Sequence, residues 1–117
     1  MTRRVLITSA GCRHGSLPDA DLRIDCRPFS NPYHNRGLRV LNGLDERVKE
    51  EVLAVDDARQ VLEAALLLIT KRVAKTVLFY CTGGHHRSVV MAEELAVMVR
   101  VNTFEKVRVE HRDLERK

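Results

Sequence analysis

No stretch of the 117 residues carries the ~20 consecutive apolar residues that a bilayer-crossing helix needs. The opening Met1-Thr2-Arg3-Arg4-Val5-Leu6-Ile7 has basic residues but only a very short apolar segment, which does not read as a secretory signal, so a cytoplasmic protein is expected. Cysteine is scarce. Cys12, Cys26 and Cys81 are an odd number without CxxC spacing, which argues against a disulfide framework and a zinc knuckle and leaves reduced thiols as the default. The pattern G-x-x-x-x-G-K-[ST] is missing, which argues against a Walker-type nucleotide triphosphatase. There is no internal repeat or low-complexity segment, and no metal or cofactor is expected.

What is present describes an ordinary globular chain: 44% hydrophobic, 31% charged, with a net charge of +4. The length suits one domain spanning residues 1–117, large enough to bury a core without covalent staples. The mild excess of base is compatible with polyanionic partners but does not identify one.

The most informative stretch is Thr76 to Met91. An apolar, β-branched and aromatic run, Thr76-Val77-Leu78-Phe79-Tyr80-Cys81, meets a two-glycine turn and then the polar start of an apolar-periodic helix. A helix start leaves backbone N–H groups without partners and adds partial positive charge, a geometry that binds anions. Gly83 and Gly84 allow φ > 0 and close approach of the backbone. Thr82, His85, His86, Arg87 and Ser88 supply donors within about one turn, more than a merely structural turn uses. The loop reads as a phosphate cradle, with Arg87 facing the loop rather than the core.

Taken in order, Val5 to Ser9 is a short strand, followed by a second donor-rich loop, Cys12-Arg13-His14-Gly15-Ser16. Leu22 to Cys26 alternates as a half-buried strand. Arg27 to Gly37, with two prolines, reads as an ordered loop at that strand's C-terminal end, where open α/β sheets place ligands; Asp25 and Arg27 face that crevice or form a surface ion pair. Asp45 suits the N-cap of a short helix over Arg47 to Ala54, and Asp56-Asp57 opens a longer one whose apolar positions run from Val61 to Val73. That helix has a wide apolar face, which suggests cover by the sheet and a partner subunit. Val89 to Val99 continues the helix after the cradle, and Phe104 to Glu110 alternates as a last strand. The charged end is expected as a solvated tail, except that His111 and Arg112 follow a strand and would add donors to the crevice. The order β-β-α-α-β-α-β implies an α/β fold with a small, mostly parallel sheet of about four strands and helices on its faces.

Several pieces together resemble the C-terminal domain of the RapZ RNase adapter proteins: Cys81-Thr82-Gly83-Gly84 with His86-Arg87-Ser88-Val89, Arg13-His14-Gly15, Pro18-Asp19-Ala20-Asp21-Leu22, Asn31-Pro32-Tyr33, Gly43-Leu44-Asp45 and His111-Arg112-Asp113-Leu114-Glu115. They fall in the family's order across nearly the whole chain. The resemblance implies binding of an aminosugar phosphate such as glucosamine-6-phosphate, self-association as a homo-oligomer, a protein partner and, in some members, a regulatory small RNA. It implies that Thr82, Gly83, Gly84, His86, Arg87 and Ser88 hold the phosphate near Arg13 and His14, while Asp25, Arg27, Asn31 and Tyr33 close on the sugar. Full-length members carry an N-terminal P-loop domain; this sequence has no such motif, so nucleotide hydrolysis is not carried over.

Two other classes stay open. Cys81 to Ser88 also fits C-x5-R-[ST], the phosphate loop of cysteine phosphatases, in which Cys81 would be the nucleophile and Arg87 would hold the phosphate. Tyr80 stands where such enzymes have histidine, and no aspartate lies in a recognisable general-acid loop. The third class is a structural oligomer with a vestigial anion site. On balance a binding module rather than an enzyme is expected.

Overall fold

The computed structural model of the chain describes residues 3–116. Four strands, β1 (Arg4–Gly11), β2 (Leu22–Asp25), β3 (Thr76–Cys81) and β4 (Lys106–His111), form one sheet in the order β2-β3-β1-β4. Every pairing is parallel, so the fold is α/β. Register sets Gly11 beside Cys81, Asp25 beside Tyr80 and Ser9 beside His111. The C-terminal ends of the strands therefore line up along one rim of the sheet.

Side chains alternate across the strands. Val5, Ile7, Val77 and Phe79 share one face and are buried, joined by Leu22, Ile24, Val107 and Val109. On that face lies helix α4 (Arg87–Asn102), which packs against β1, β3 and β4 through Val90, Met91, Leu95 and Val99. A second layer, α2 (Glu46–Leu53) and α3 (Asp56–Thr70), packs on α4 and not chiefly on the sheet. The wide apolar face of α3 is thus explained in part by helix-on-helix contact, with Ala58, Leu62, Ala65 and Ile69 buried and Leu67 left half exposed. The helix stops at Thr70, where Arg72 turns left-handed (φ 60°), so Val73 falls outside it and is exposed.

Capping follows local chemistry. Asp45 accepts from the Arg47 amide at 2.9 Å to start α2. The Arg27–Gly37 segment, read as loop, contains two helical turns. Asn31 caps a 3-10 turn at Pro32–His34, and Asn35 caps the short α1 (Arg36–Arg39). Asparagine at each cap and proline in the first turn are what allow helical turns in a stretch with so many breakers. Asp21 ties the start of β2 to β3, accepting from the Lys75 and Thr76 amides.

The topology places a crevice at a defined point. After β1 the chain crosses to β2 on one side, and after β3 it crosses to β4 on the other, so the adjacent ends of β1 and β3 form a switch point. There the two backbones touch. A Cβ built on Gly11 would meet the Gly83 carbonyl carbon at 2.4 Å. The residues after β4 close this junction from behind, correcting the solvated-tail expectation. Asp113 is fully buried; its carboxylate accepts from the Gly11 amide at 2.7 Å and pairs with Arg112 and Arg116. Burial alone would push its pKa up, but Arg112, the Gly11 amide and Arg116 together hold it below the ordinary carboxylate value.

Gly11→Ala should destabilise the protein by about 1–3 kcal/mol, the usual range for overpacking, because backbone atoms and not a flexible side chain must move. Urea unfolding would show this as a lower midpoint at unchanged slope; an unaltered midpoint would mean that the junction is looser than described.

Candidate functional site

At the switch point lies a cavity of about 320 Å³, lined by Arg13 from the loop after β1, Asn31 and Tyr33 from the 3-10 turn, and Cys81 through Arg87 from the cradle. A depression of about 370 Å³ between α2, α3 and α4 is a little larger, but it is lined by carboxylates and cations of both signs (Glu46, Lys49, Glu50, Arg59, Glu94). Nothing in it converges on one kind of ligand. Among the described residues no group of acidic, histidine or cysteine side chains could hold a metal ion.

The cradle follows from β3 reaching the rim and α4 beginning at Arg87. His86 precedes the helix in a non-helical conformation and provides no side-chain cap. Among the described residues no carbonyl or carboxylate takes the amides of Gly83 to Val89. Unpartnered amides at the start of a 16-residue helix, beside a buried guanidinium, form a receptor for negative charge. The two glycines serve different ends. Gly84 sits at φ 76°, and its Cβ would lie 2.6 Å from the Gly11 nitrogen, so conformation and packing both demand glycine. Gly83 has no positive φ, and its Cβ would meet only His85 and Arg13 side chains at 3.7 Å and beyond. Its bareness keeps the cavity open.

The remaining side chains divide by what already occupies them. Arg87 is 6% exposed; its Nη1 donates to the Arg27 carbonyl at 2.6 Å, and its Nε is buried without a partner. The guanidinium thus enters the core further than a loop-facing donor would. His86 places Nε2 2.6 Å from the Leu41 carbonyl, and burial pushes its pKa below the ordinary value of 6.5 despite that contact. Ser88 is fully buried, with Oγ 3.2 Å from Cys81 Sγ, and does not line the cavity. Thr82 lines it, and so does His85, whose Nε2 is buried and unpartnered. His14 stays outside, its ring 6.2 Å from that of His85.

On the side of the 3-10 turn, Tyr33 lines the cavity while 52% exposed, backed by Arg39, whose guanidinium lies 4.6 Å over its ring and donates to its carbonyl. Asn31 lines the cavity too, with its Oδ1 already capping the Tyr33 amide. Asp25 and Arg27 close on each other in a partly exposed pair at 2.7 Å and stand away from the cavity. Arg27 holds the Asp25 carboxyl below its ordinary range.

His111 and Arg112 do not reach the crevice either. His111 bridges Ser9 Oγ (Nδ1, 2.6 Å) and Glu93 Oε2 (Nε2, 2.7 Å). The order serine, histidine, carboxylate resembles a hydrolytic relay, but Ser9 is fully buried mid-strand beneath α4, so the chain of contacts joins sheet to helix. Arg112 spends its guanidinium on Asp113 and on the carbonyls of Gly11 and Ser16. Sequence reasoning missed Gly11, Arg39 and Leu41, which touch cavity residues, and Asp113, which holds Gly11. Only Gly11, a glycine closing a strand, carried a local signal.

A family model described as the RapZ C-terminal domain matches residues 3–115. The chain belongs to that family. A "Nucleotide-binding protein" from Thermobifida fusca is 43% identical over 97% of this chain and 41% of its own length. Proteins of the same name from Fervidobacterium nodosum and Rubrobacter xylanophilus are each 39% identical over 95% of this chain. This RapZ-family chain spans 40–42% of the length of those curated relatives. No described helix is long and apolar enough to cross a membrane.

Gly83→Ala should leave stability within about 0.5 kcal/mol, as for a substitution without a destabilising mechanism, while phosphate no longer raises the melting temperature. Normal phosphate stabilisation in that variant would place the ligand elsewhere. Because the fold favours neutral His86, its contribution to stability is complete above 6.5 and declines as pH falls through that value. His86→Gln should flatten the loss of stability as pH falls below 6.5, and an unchanged slope would remove His86 from the account.

Proposed function

We propose that this domain binds a phosphorylated aminosugar, glucosamine-6-phosphate being the best fit, and acts as a regulatory module. The observation that carries the reading is that Gly83 to Arg87, whose amides find no protein acceptor among the described residues, line one cavity of about 320 Å³ together with Arg13. The phosphate would sit over Gly83, held by those amides, Thr82 and the guanidinium groups. The sugar would lie toward Asn31 and Tyr33, where an exposed ring backed by Arg39 offers an apolar platform with a polar tip. His14, Asp25 and Ser88 act from behind or beside the lining rather than on the ligand. The relatives' name speaks of nucleotides, but the domain proposed here needs only a phosphate and a small polar ring, and the sequence has no Walker motif.

The reading extends to cytoplasmic partners. Self-association is supported by exposed apolar side chains, Val97 and Val101 on α4 and Phe104 after it. An adapter role toward RNA would draw on exposed cations such as Lys106 and Arg108 on β4, since His111 and Arg112 are committed inside the protein. Such binding would weaken steeply with added salt.

Glucosamine-6-phosphate at 100 times its dissociation constant should stabilise the wild-type domain by about 2.7 kcal/mol, with free glucosamine far less effective. Arg87→Ala should lose that stabilisation and also cost about 1–3 kcal/mol, because the Arg27 carbonyl is left without its donor. Thr82→Ala should weaken binding by about 1.5–3 kcal/mol, one hydrogen bond to a charged group. Calorimetric titration of the three proteins checks all of this; equal affinities would move the phosphate away from the loop.

A further inference from the structure

We propose that the same pocket carries a phosphoryl-transfer activity in which Cys81 Sγ accepts the phosphoryl group of an aryl or acyl phosphate and water then removes it. The proposal rests on the phosphate site above. Cys81 ends β3 and lines the cavity although only 3% exposed. Its sulfur is 3.2 Å from Ser88 Oγ, a contact that can stabilise sulfur as a leaving group. A second, independent observation points to an occupant. Arg87, more than nine-tenths buried, keeps Nε unpartnered at a cavity it helps to line, and an unmet buried donor is costly unless something fills its place. A thiol at the floor, free amides on the wall and an unsatisfied guanidinium donor are the groups that phosphoryl transfer to sulfur requires.

The thiol first gives its proton to solvent. Sulfur then attacks phosphorus, the S–P bond forming as the bond from phosphorus to the leaving oxygen breaks. The leaving group departs with the bonding pair, as an aryl oxide that takes a proton from solvent or as a carboxylate. Water next attacks phosphorus, the S–P bond breaks, sulfur regains its pair, and inorganic phosphate and a proton are released. The substrate class follows from what the cavity lacks. Among the described residues no carboxyl side chain lines it, and of its two histidines His86 is engaged with Leu41 while the Nε2 of His85 is itself buried and out of reach of a leaving group. Leaving groups that need little protonation fit it, whereas sugar alkoxides do not, so a sugar phosphate would be held without being cleaved.

The test is release of nitrophenol from p-nitrophenyl phosphate by the full chain, together with acid quench and mass spectrometry of the Cys81 peptide. Expected are turnover that falls to the buffer rate in Cys81→Ser, phosphate on the wild-type Cys81 peptide, and more of that adduct in Ser88→Ala, where breakdown slows. The quench reads wild-type protein, so it decides even where a variant fails to fold. Absence of the adduct, or turnover that survives Cys81→Ser, overturns the proposal. Inorganic phosphate is run in parallel by thermal shift: stabilisation without adduct leaves the binding site standing and removes only the chemistry, whereas no stabilisation and no adduct removes both.

Discussion

The contact on which the rest of the structure depends is backbone against backbone, Gly11 on Gly83 and Gly84, at the ends of the two central strands. Because neither partner has a Cβ, the loop after β3 lies directly on the end of β1, and the amides that follow it find no protein acceptor among the described residues. Hydrogen bonds hold the loop to its surroundings: the Arg13 amide donates to the Thr82 carbonyl and the Gly43 amide to that of His85. The cradle is therefore shaped before any ligand arrives. Receptors of this kind bind anions without paying again for ordering.

Behind that contact stands an unusual concentration of charge for an interior. Asp113 holds the Gly11 amide from 102 residues away while two arginines neutralise it. A buried carboxylate is costly unless paired and hydrogen-bonded, and here both conditions are met. The Ser9, His111 and Glu93 chain does comparable work between sheet and helix. Polar groups at this rim thus serve two purposes: one set is satisfied internally and locates the strands, and the other is left open toward the cavity.

That division explains what could and could not be read from the sequence. Strand β3, the glycine turn and the start of α4 were legible because hydrophobic period and glycine act locally, and Asp45 as a cap was legible for the same reason. The layering was only partly legible, since an apolar stripe on α3 does not say whether sheet or helix will cover it. The targets of the polar side chains were least visible. A sequence shows that His86, Arg87, Asp25 and His111 can donate or accept; it does not show that the Leu41 carbonyl, the Arg27 carbonyl, the Arg27 guanidinium and Glu93 reach them first. Those competitors are main-chain atoms or lie 18 to 60 residues away in all but one case, which no local pattern encodes.

The two halves of the pocket are built on separate foundations. Its floor is fixed by strand ends and a buried carboxylate, whereas Asn31 and Tyr33 belong to a capped surface turn whose ties are local: an asparagine cap, one arginine and short-range amide bonds. Exchanging residues on that turn changes the outer lining of the cavity while leaving its strand-end floor intact. Divergence among descendants, or deliberate redesign, would therefore proceed fastest along the rim, at little risk to folding.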